Sequence, residues 1–297
     1  MPEAEPRPLR AGASEDAGET VARREADELV GTGRATIYWQ AWLPEAEPRA
    51  VVVLSHGISE HGGRYAWTGE RLAERGFALY AGDHRGHGRS SGPRAFVDRM
   101  DNVVADLDRV IDLARERHPE PKLFLLGHSF GGAVAIAYAL AHQEKLDGLV
   151  LSAPLAKLEA ASPLERGAAR VLSAFVPRIG VLGIDATTVS RDPQVVLDYD
   201  TDPLNYRGRL PARTVKEVSD TVGTFQDRAP ELALPFLTMH GTADELTPPE
   251  GSEMLIERAS SSDREIIRYD GLYHELLNEP ERARVLDDVV TWMEARL

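Results

Sequence analysis

The pentapeptide Gly127-His128-Ser129-Phe130-Gly131 lies between an apolar run, Leu123-Phe124-Leu125-Leu126, and an alanine-rich stretch from Gly132 to Leu140. A serine set on a turn from a strand into a helix is held in a strained backbone conformation that lifts its hydroxyl clear of the sheet. Small residues two positions before and after it let the chains pass closely, and glycine stands at both places. The turn also puts the Phe130 amide at a helix N-terminus, where it can donate to a developing oxyanion. Together these features predict a serine nucleophile for acyl transfer.

The bare pattern G-x-S-x-G occurs a second time, at Gly88-Arg89-Ser90-Ser91-Gly92, and context separates the two. Ser90 lies well beyond the run Phe77-Ala78-Leu79-Tyr80-Ala81 and Pro93 follows it, so neither the strand before nor the helix after is available. Ser90 reads as a loop serine.

A serine hydroxyl needs a base within hydrogen-bond reach and an acid that fixes the tautomer of that base. In an α/β-hydrolase sheet the chain order is Ser, then Asp or Glu after a later strand, then His near the C-terminus. The segment from Leu234 to Gly241 reads as a buried strand, and Asp244 is the first carboxylate in the loop leaving it. Asp244 is the expected acid, with its neighbour Glu245 as the alternative. Among nine histidines His118 and His142 read as surface residues. His274 follows a short strand, Glu265 to Tyr269, through a glycine turn and precedes the last helix, which is the place of the base. A second oxyanion donor is expected after the strand Val51-Val52-Val53-Leu54, and the amide of Ile58 fills that role. The glycine before it lets backbone approach a carbonyl closely.

The chain has 297 residues and a formal charge of -14, which argues against nucleic acid and against anionic membrane surfaces as partners. It has no cysteine, so disulfides, thiolate metal sites and a cysteine nucleophile are excluded. No metal or organic cofactor is implied. The opening Met1-Pro2-Glu3-Ala4-Glu5-Pro6 lacks the basic start and apolar stretch of a signal peptide, and no run approaches the ~18 apolar residues of a membrane span. A cytoplasmic location is expected, with peripheral membrane association open.

Residues 1–25 are rich in Glu, Ala, Arg and Gly and read as a flexible acidic tail. Strands and helices then alternate. The helix after Asp101 carries Val103, Val104, Leu107, Val110, Ile111 and Ala114 on one face and stops before Pro119. Such alternation predicts an α/β fold with a mostly parallel sheet, eight strands in all, covered by helices on both faces. Between Pro154 and Phe236 lie ~80 residues, far more than an ordinary connection, so a helical cap is expected over 155–231. The hydrolase core then comprises 26–154 and 232–297. In the cap, Leu164, Ala168, Val171, Leu172 and Phe175 fall on one apolar face. That face packs on the core, or serves as a lid that meets lipid and lines an acyl tunnel.

With these residues in hand the chain resembles the monoacylglycerol lipases of the α/β-hydrolase superfamily, from about Gly31 to the C-terminus. The likeness rests on His56-Gly57-Ile58-Ser59-Glu60-His61 with Arg64-Tyr65, on Asp83-His84-Arg85-Gly86-His87-Gly88, and on the elbow from Gly127 to Gly132. It extends through Ser190-Arg191-Asp192-Pro193, Tyr199, His240-Gly241-Thr242-Ala243-Asp244 and Tyr273-His274-Glu275. The resemblance implies Ser129, Asp244 and His274 as the triad and the amides of Ile58 and Phe130 as the oxyanion hole. It also implies that Glu60, Arg64, His128 and Tyr199 line the glycerol end of the pocket; a structural ion pair for Glu60 and Arg64, and cap packing for Tyr199, are the alternatives. Phe130 departs from the methionine or leucine usual after the serine.

The expected function is hydrolysis of monoacylglycerols to glycerol and fatty acid through an acyl-enzyme. A lysophospholipase or broad carboxylesterase shares the same site, and a catalytically inactive hydrolase fold acting as a binding protein is the reading from another class. The serine at 129 sets aside epoxide hydrolases and dehalogenases, which need aspartate there.

Overall fold

The computed structural model describes residues 22–158 and 171–297. In chain order the first strands are β1 (Arg23–Val30), β2 (Thr36–Leu43), β3 (Ala50–Ser55), β4 (Phe77–Gly82), β5 (Lys122–His128) and β6 (Gly148–Ser152). A two-stranded ribbon, β7 (Gly180–Leu182) with β8 (Leu210–Pro211), precedes β9 (Phe236–Gly241) and β10 (Arg264–Tyr269). The main sheet has eight strands in the order β1-β2-β4-β3-β5-β6-β9-β10. β2 runs antiparallel to β1 and β4, and every other pairing is parallel.

The central strands are buried on both faces, which is why β3 and β5 read as unbroken apolar runs rather than alternating ones. One face of the sheet, with Val51, Val53, Leu123 and Leu125, packs with helix α2 (Met100–Arg117) and helix α3 (Phe130–His142). The opposite face, with Val52, Leu54, Phe124 and Leu126, is covered by α1 (Ala66–Glu74) and by the C-terminal helix, whose Val285, Leu286 and Val289 are buried. α2 buries the stripe expected from its spacing and ends at a cap on His118, one residue before Pro119. His118 itself departs from the surface reading: it is buried, with Nε2 3.0 Å from the Tyr80 hydroxyl and Nδ1 3.1 Å from Glu47.

The insertion between β6 and β9 is not uniform. Helix α4 (Pro193–Thr201) starts with proline at its first turn and with Asp192 accepting from the Gln194 amide at 2.8 Å. Helix α5 (Ala212–Val222) then contributes Val218 and Val222, with Phe225 beyond it, to the same core as α2 and α3. Part of the insertion expected over 155–231 thus shares the core of the sheet layers. Leu164 and Ala168 of the expected apolar face lie outside the described residues. Among the described residues no helix is long and apolar enough to cross a membrane.

The tail boundary also moves. β1 begins at Arg23 and pairs with β2 in full register from Arg23↔Leu43 to Val30↔Thr36, so residues 23–25 belong to the sheet. Its sequence, RREADELV, has no apolar alternation because this edge strand is solvated on most of its surface. Backbone pairing and ion pairs hold it: Arg24 to Glu70, and Arg117 to Glu25 at 2.5 Å. A chain lacking residues 1–30 should accordingly melt several degrees below one lacking residues 1–21, at about 2–4 °C per kcal/mol lost. Equal melting temperatures in a thermal scan would show that β1 adds no stability.

Candidate active site

The elbow is present in the backbone. Ser129 has φ 53 and ψ -120, a left-handed conformation that a residue with a Cβ adopts only under constraint. Its amide donates to the Ser152 carbonyl at 3.1 Å, and its carbonyl accepts from Ala133 at 3.2 Å and Leu155 at 3.0 Å. The flanking glycines are required sterically. A Cβ on Gly127 would lie 2.6 Å from the Ala135 Cβ, and one on Gly131 would run into the Ser55 and His56 carbonyls at the end of β3. Ser90, by contrast, accepts from the Tyr38 amide at 2.9 Å and donates to the Asp83 carbonyl at 2.6 Å, fastening the loop after β4.

Asp244 and His274 arrive from the loops after β9 and β10. His274 Nδ1 donates to Asp244 Oδ2 at 2.8 Å, which leaves Nε2 without a hydrogen-bond partner among the described residues. Asp244 is fully enclosed: Oδ1 accepts from the Leu246 and Thr247 amides at 2.8 and 3.0 Å, and Oδ2 lies 2.9 Å from Thr247 Oγ1 and 3.2 Å from His240 Nε2. Burial alone would raise its pKa, but the His274 charge and the bonds from His240, His274 and Thr247 outweigh that and hold the carboxyl well below its usual range. It is a permanently ionised partner for the imidazole. Glu245 makes none of these contacts.

Ile58 follows β3 and Phe130 opens α3, and neither amide donates to any described residue. Gly57, just before Ile58, is fixed by its amide donating to Glu60 Oε1 at 2.5 Å. Two unengaged donors, a serine on a strained turn and an oriented imidazole form an arrangement suited to acyl transfer.

A family profile described as serine aminopeptidase, S33, matches residues 46–281. The chain is 39% identical over 275 residues to a monoacylglycerol lipase of Mycolicibacterium smegmatis, covering 92% of this chain and 98% of that protein. The chain belongs to the monoacylglycerol lipase family. A monoglyceride lipase of Rattus norvegicus is 33% identical, over 94% of this chain and 93% of its own length. The crystal structure of a monoacylglycerol lipase from Paleococcus ferrophilus superposes with a TM-score of 0.78 at 33% identity, covering 88% of this chain and 99% of that one. The profile description names a peptidase and the relatives are lipases; serine-based acyl transfer is what the two have in common. The chain is a carboxylic ester hydrolase.

The four residues that the family likeness puts at the glycerol end fall close together, but not as free ligands. Glu60 and Arg64 are paired at 2.6 Å, and Arg64 also grips Glu275 at 2.6 and 2.7 Å. Tyr199 on α4 lies under the Arg64 guanidinium, 4.9 Å from ring centre to charge. His128 differs. Its Nδ1 donates to the Ser152 carbonyl at 3.1 Å, its ring stands 4.7 Å from that of His274, and Nε2 remains an unengaged acceptor among the described residues. Three contributors were not identified from the sequence: Thr247, His240 and Glu275. Only Thr247, three residues after an aspartate in a turn, left a local signal.

Behind the oxyanion loop sit three more buried imidazoles, His56, His84 and His87, packed with Phe130. Burial pushes His87 and His128 down to about 4, and His56 and His84 well below the usual imidazole value of 6.5. Like charge adds to the effect at His128, His56 and His84, through His274, His87 and His56 respectively. Unfolded, these groups take up a proton near pH 6.5; folded, His87 and His128 stay neutral to about 4. Between those values the unfolded chain binds more protons, so this stability is complete above about pH 6.5 and is lost as pH falls toward 4. At roughly 1.4 kcal/mol per unit, His87 and His128 each account for on the order of 3 kcal/mol across the window. Melting temperature should drop steeply from pH 6.5 to 4.5, and a flat profile there would contradict neutral burial.

Proposed function

We propose that this protein hydrolyses monoacylglycerols to glycerol and fatty acid through an acyl-enzyme on Ser129. The observation that carries this reading is an ionised, enclosed Asp244 holding His274 at 2.8 Å, together with a serine on a strained elbow whose neighbour His128 has its ring 4.7 Å from that of His274. His274 Nε2 takes the Ser129 proton as Oγ bonds to the ester carbon, and the Ile58 and Phe130 amides receive the oxyanion. Collapse of the tetrahedral intermediate breaks the bond to the glycerol oxygen, which leaves with the proton from His274. Water, deprotonated by the same imidazole, then attacks the acyl-enzyme and frees the fatty acid and Ser129. His128, neutral and with Nε2 open, suits a glycerol hydroxyl as an acceptor. Glu60, Arg64 and Tyr199 form the wall behind it.

The exposed side of the insertion favours a lipid substrate delivered from an interface. Phe175 is 82% exposed, and Val171, Leu182, Ile179 and Val176 are 45–57% exposed, within one short stretch of chain. Apolar surface of this kind is usual where a protein meets lipid or a partner. With a net charge of -14 the chain suits neutral lipid surfaces rather than anionic ones.

Ser129→Ala should lower turnover by about a millionfold, while Ser90→Ala retains activity; equal loss in both would overturn the nucleophile assignment. Monoacylglycerols should exceed triacylglycerols at least about tenfold in kcat/KM, because each methylene of a second chain left outside the pocket forfeits about 0.8 kcal/mol. A faster rate on lysophospholipids would transfer the substrate assignment to that class. Phe175→Ser with Leu182→Ser should slow hydrolysis of monoacylglycerol in neutral vesicles and spare a soluble short-chain ester. Equal effects on both substrates would remove the interfacial role.

A further inference from the structure

Arg64 stands in the segment after β3 with its side chain 9% exposed, between two carboxylates that are more deeply buried still. Nη1 donates to Glu60 Oε2 at 2.6 Å, while Nη1 and Nη2 together grip Glu275 at 2.6 and 2.7 Å. From Glu60 the chain of bonds continues to the Gly57 amide at 2.5 Å, and Ile58 is the next residue. Glu275 is the residue after His274, and Asn278 Nδ2 holds it at 2.9 Å while its own amide donates to the Val189 carbonyl at 2.8 Å. One guanidinium therefore joins the segment carrying an oxyanion donor to the segment carrying the base. Planar bidentate grips of this kind fix orientation as well as distance.

The cluster also carries an excess charge. Two carboxylates face one guanidinium, a net of about -1 inside the protein, where an unbalanced charge is costly unless something uses it. The charges of Glu60 and Glu275 both act on His128, whose ring lies 4.7 Å from that of His274. The base itself meets Asp244 and the His128 ring; the other titratable groups nearby are His240 on Asp244, Tyr65 on Glu60 and Tyr199 on Arg64. The cation that the reaction creates in this neighbourhood is the His274 imidazolium.

We propose that Arg64 and Glu275 are positioning residues for ester hydrolysis, clamping the oxyanion segment to the base segment and favouring the imidazolium with the excess negative charge. The inference rests on Ser129 and His274 acting as proposed above. Glu275→Gln keeps the shape and removes the charge. On p-nitrophenyl butyrate and on monoacylglycerol alike, kcat should fall about tenfold to a hundredfold with KM nearly constant, since misplacement affects the reacting geometry rather than binding. The midpoint of the acid limb of kcat/KM should move to lower pH, because the imidazolium has lost a neighbouring negative charge. Arg64→Lys should lower kcat comparably, and the double variant should be little worse than the poorer single one. Glu279→Gln breaks a different pair, between the enclosed Glu279 and the half-buried Arg191, and should lower melting temperature while leaving kcat and the acid limb in place. Unchanged kcat and acid limb in Glu275→Gln overturn the clamp, as does a KM rise confined to monoacylglycerol, which would make the pair substrate ligands. If Glu275→Gln is not recovered folded, Arg64→Lys decides by the split between kcat and KM. Wild-type enzyme that cleaves the butyrate ester but not monoacylglycerol would overturn the substrate assignment and leave the clamp standing.

Discussion

The left-handed backbone at Ser129 constrains everything around it. A residue with a Cβ in that conformation costs about 1–3 kcal/mol, so neighbouring structure must hold it there. It does so by close approach: α3 passes β3 where only glycine fits at position 131, and β5 enters the turn where only glycine fits at 127. The Ser129 amide and carbonyl are tied to Ser152 and Leu155, which makes the exit of β6 part of the same brace. Ala153, just beyond β6, is itself at φ 44 and donates to the Met239 carbonyl on β9. The nucleophile is thus positioned by three adjacent parallel strands and not by its own loop.

Burial then sets the chemistry. Water is kept from Asp244 so completely that its charge must be satisfied by protein donors, and four donors besides His274 do this. Imidazoles in the same interior respond in the opposite sense, staying neutral because no carboxylate sits close enough to outweigh desolvation. A base that must gain and release a proton therefore stands beside one fixed anion and one neutral ring, that of His128, with the Glu60–Arg64–Glu275 cluster on the oxyanion side. The same low-polarity surroundings strengthen each hydrogen bond that the reaction uses.

The insertion divides by composition. Its last part, with Val218, Val222 and Phe225 at helical spacing, completes the layer over α2 and α3, while the stretch from Val171 to Leu182 leaves Val171, Phe175, Val176, Ile179 and Leu182 exposed. An acidic protein with a local apolar surface has a reason to meet neutral lipid and little reason to meet anionic surfaces.

The sequence by itself determined the fold class, the elbow and the order of Ser129, Asp244 and His274, because each depends on local patterns. Buried strands read as apolar runs, the elbow needs glycine at fixed offsets, and loops leaving parallel strands converge at one end of the sheet. It failed where stability comes from partners distant in the chain. β1 is a polar edge strand held by pairing with β2, His118 bonds to Tyr80, and α5 joins the core across a long connection. For the same reason the sequence left Glu60 and Arg64 open between substrate ligands and an ion pair. Arg64 pairs with Glu275, 211 positions away, and only tertiary packing decides which carboxylates a buried guanidinium meets.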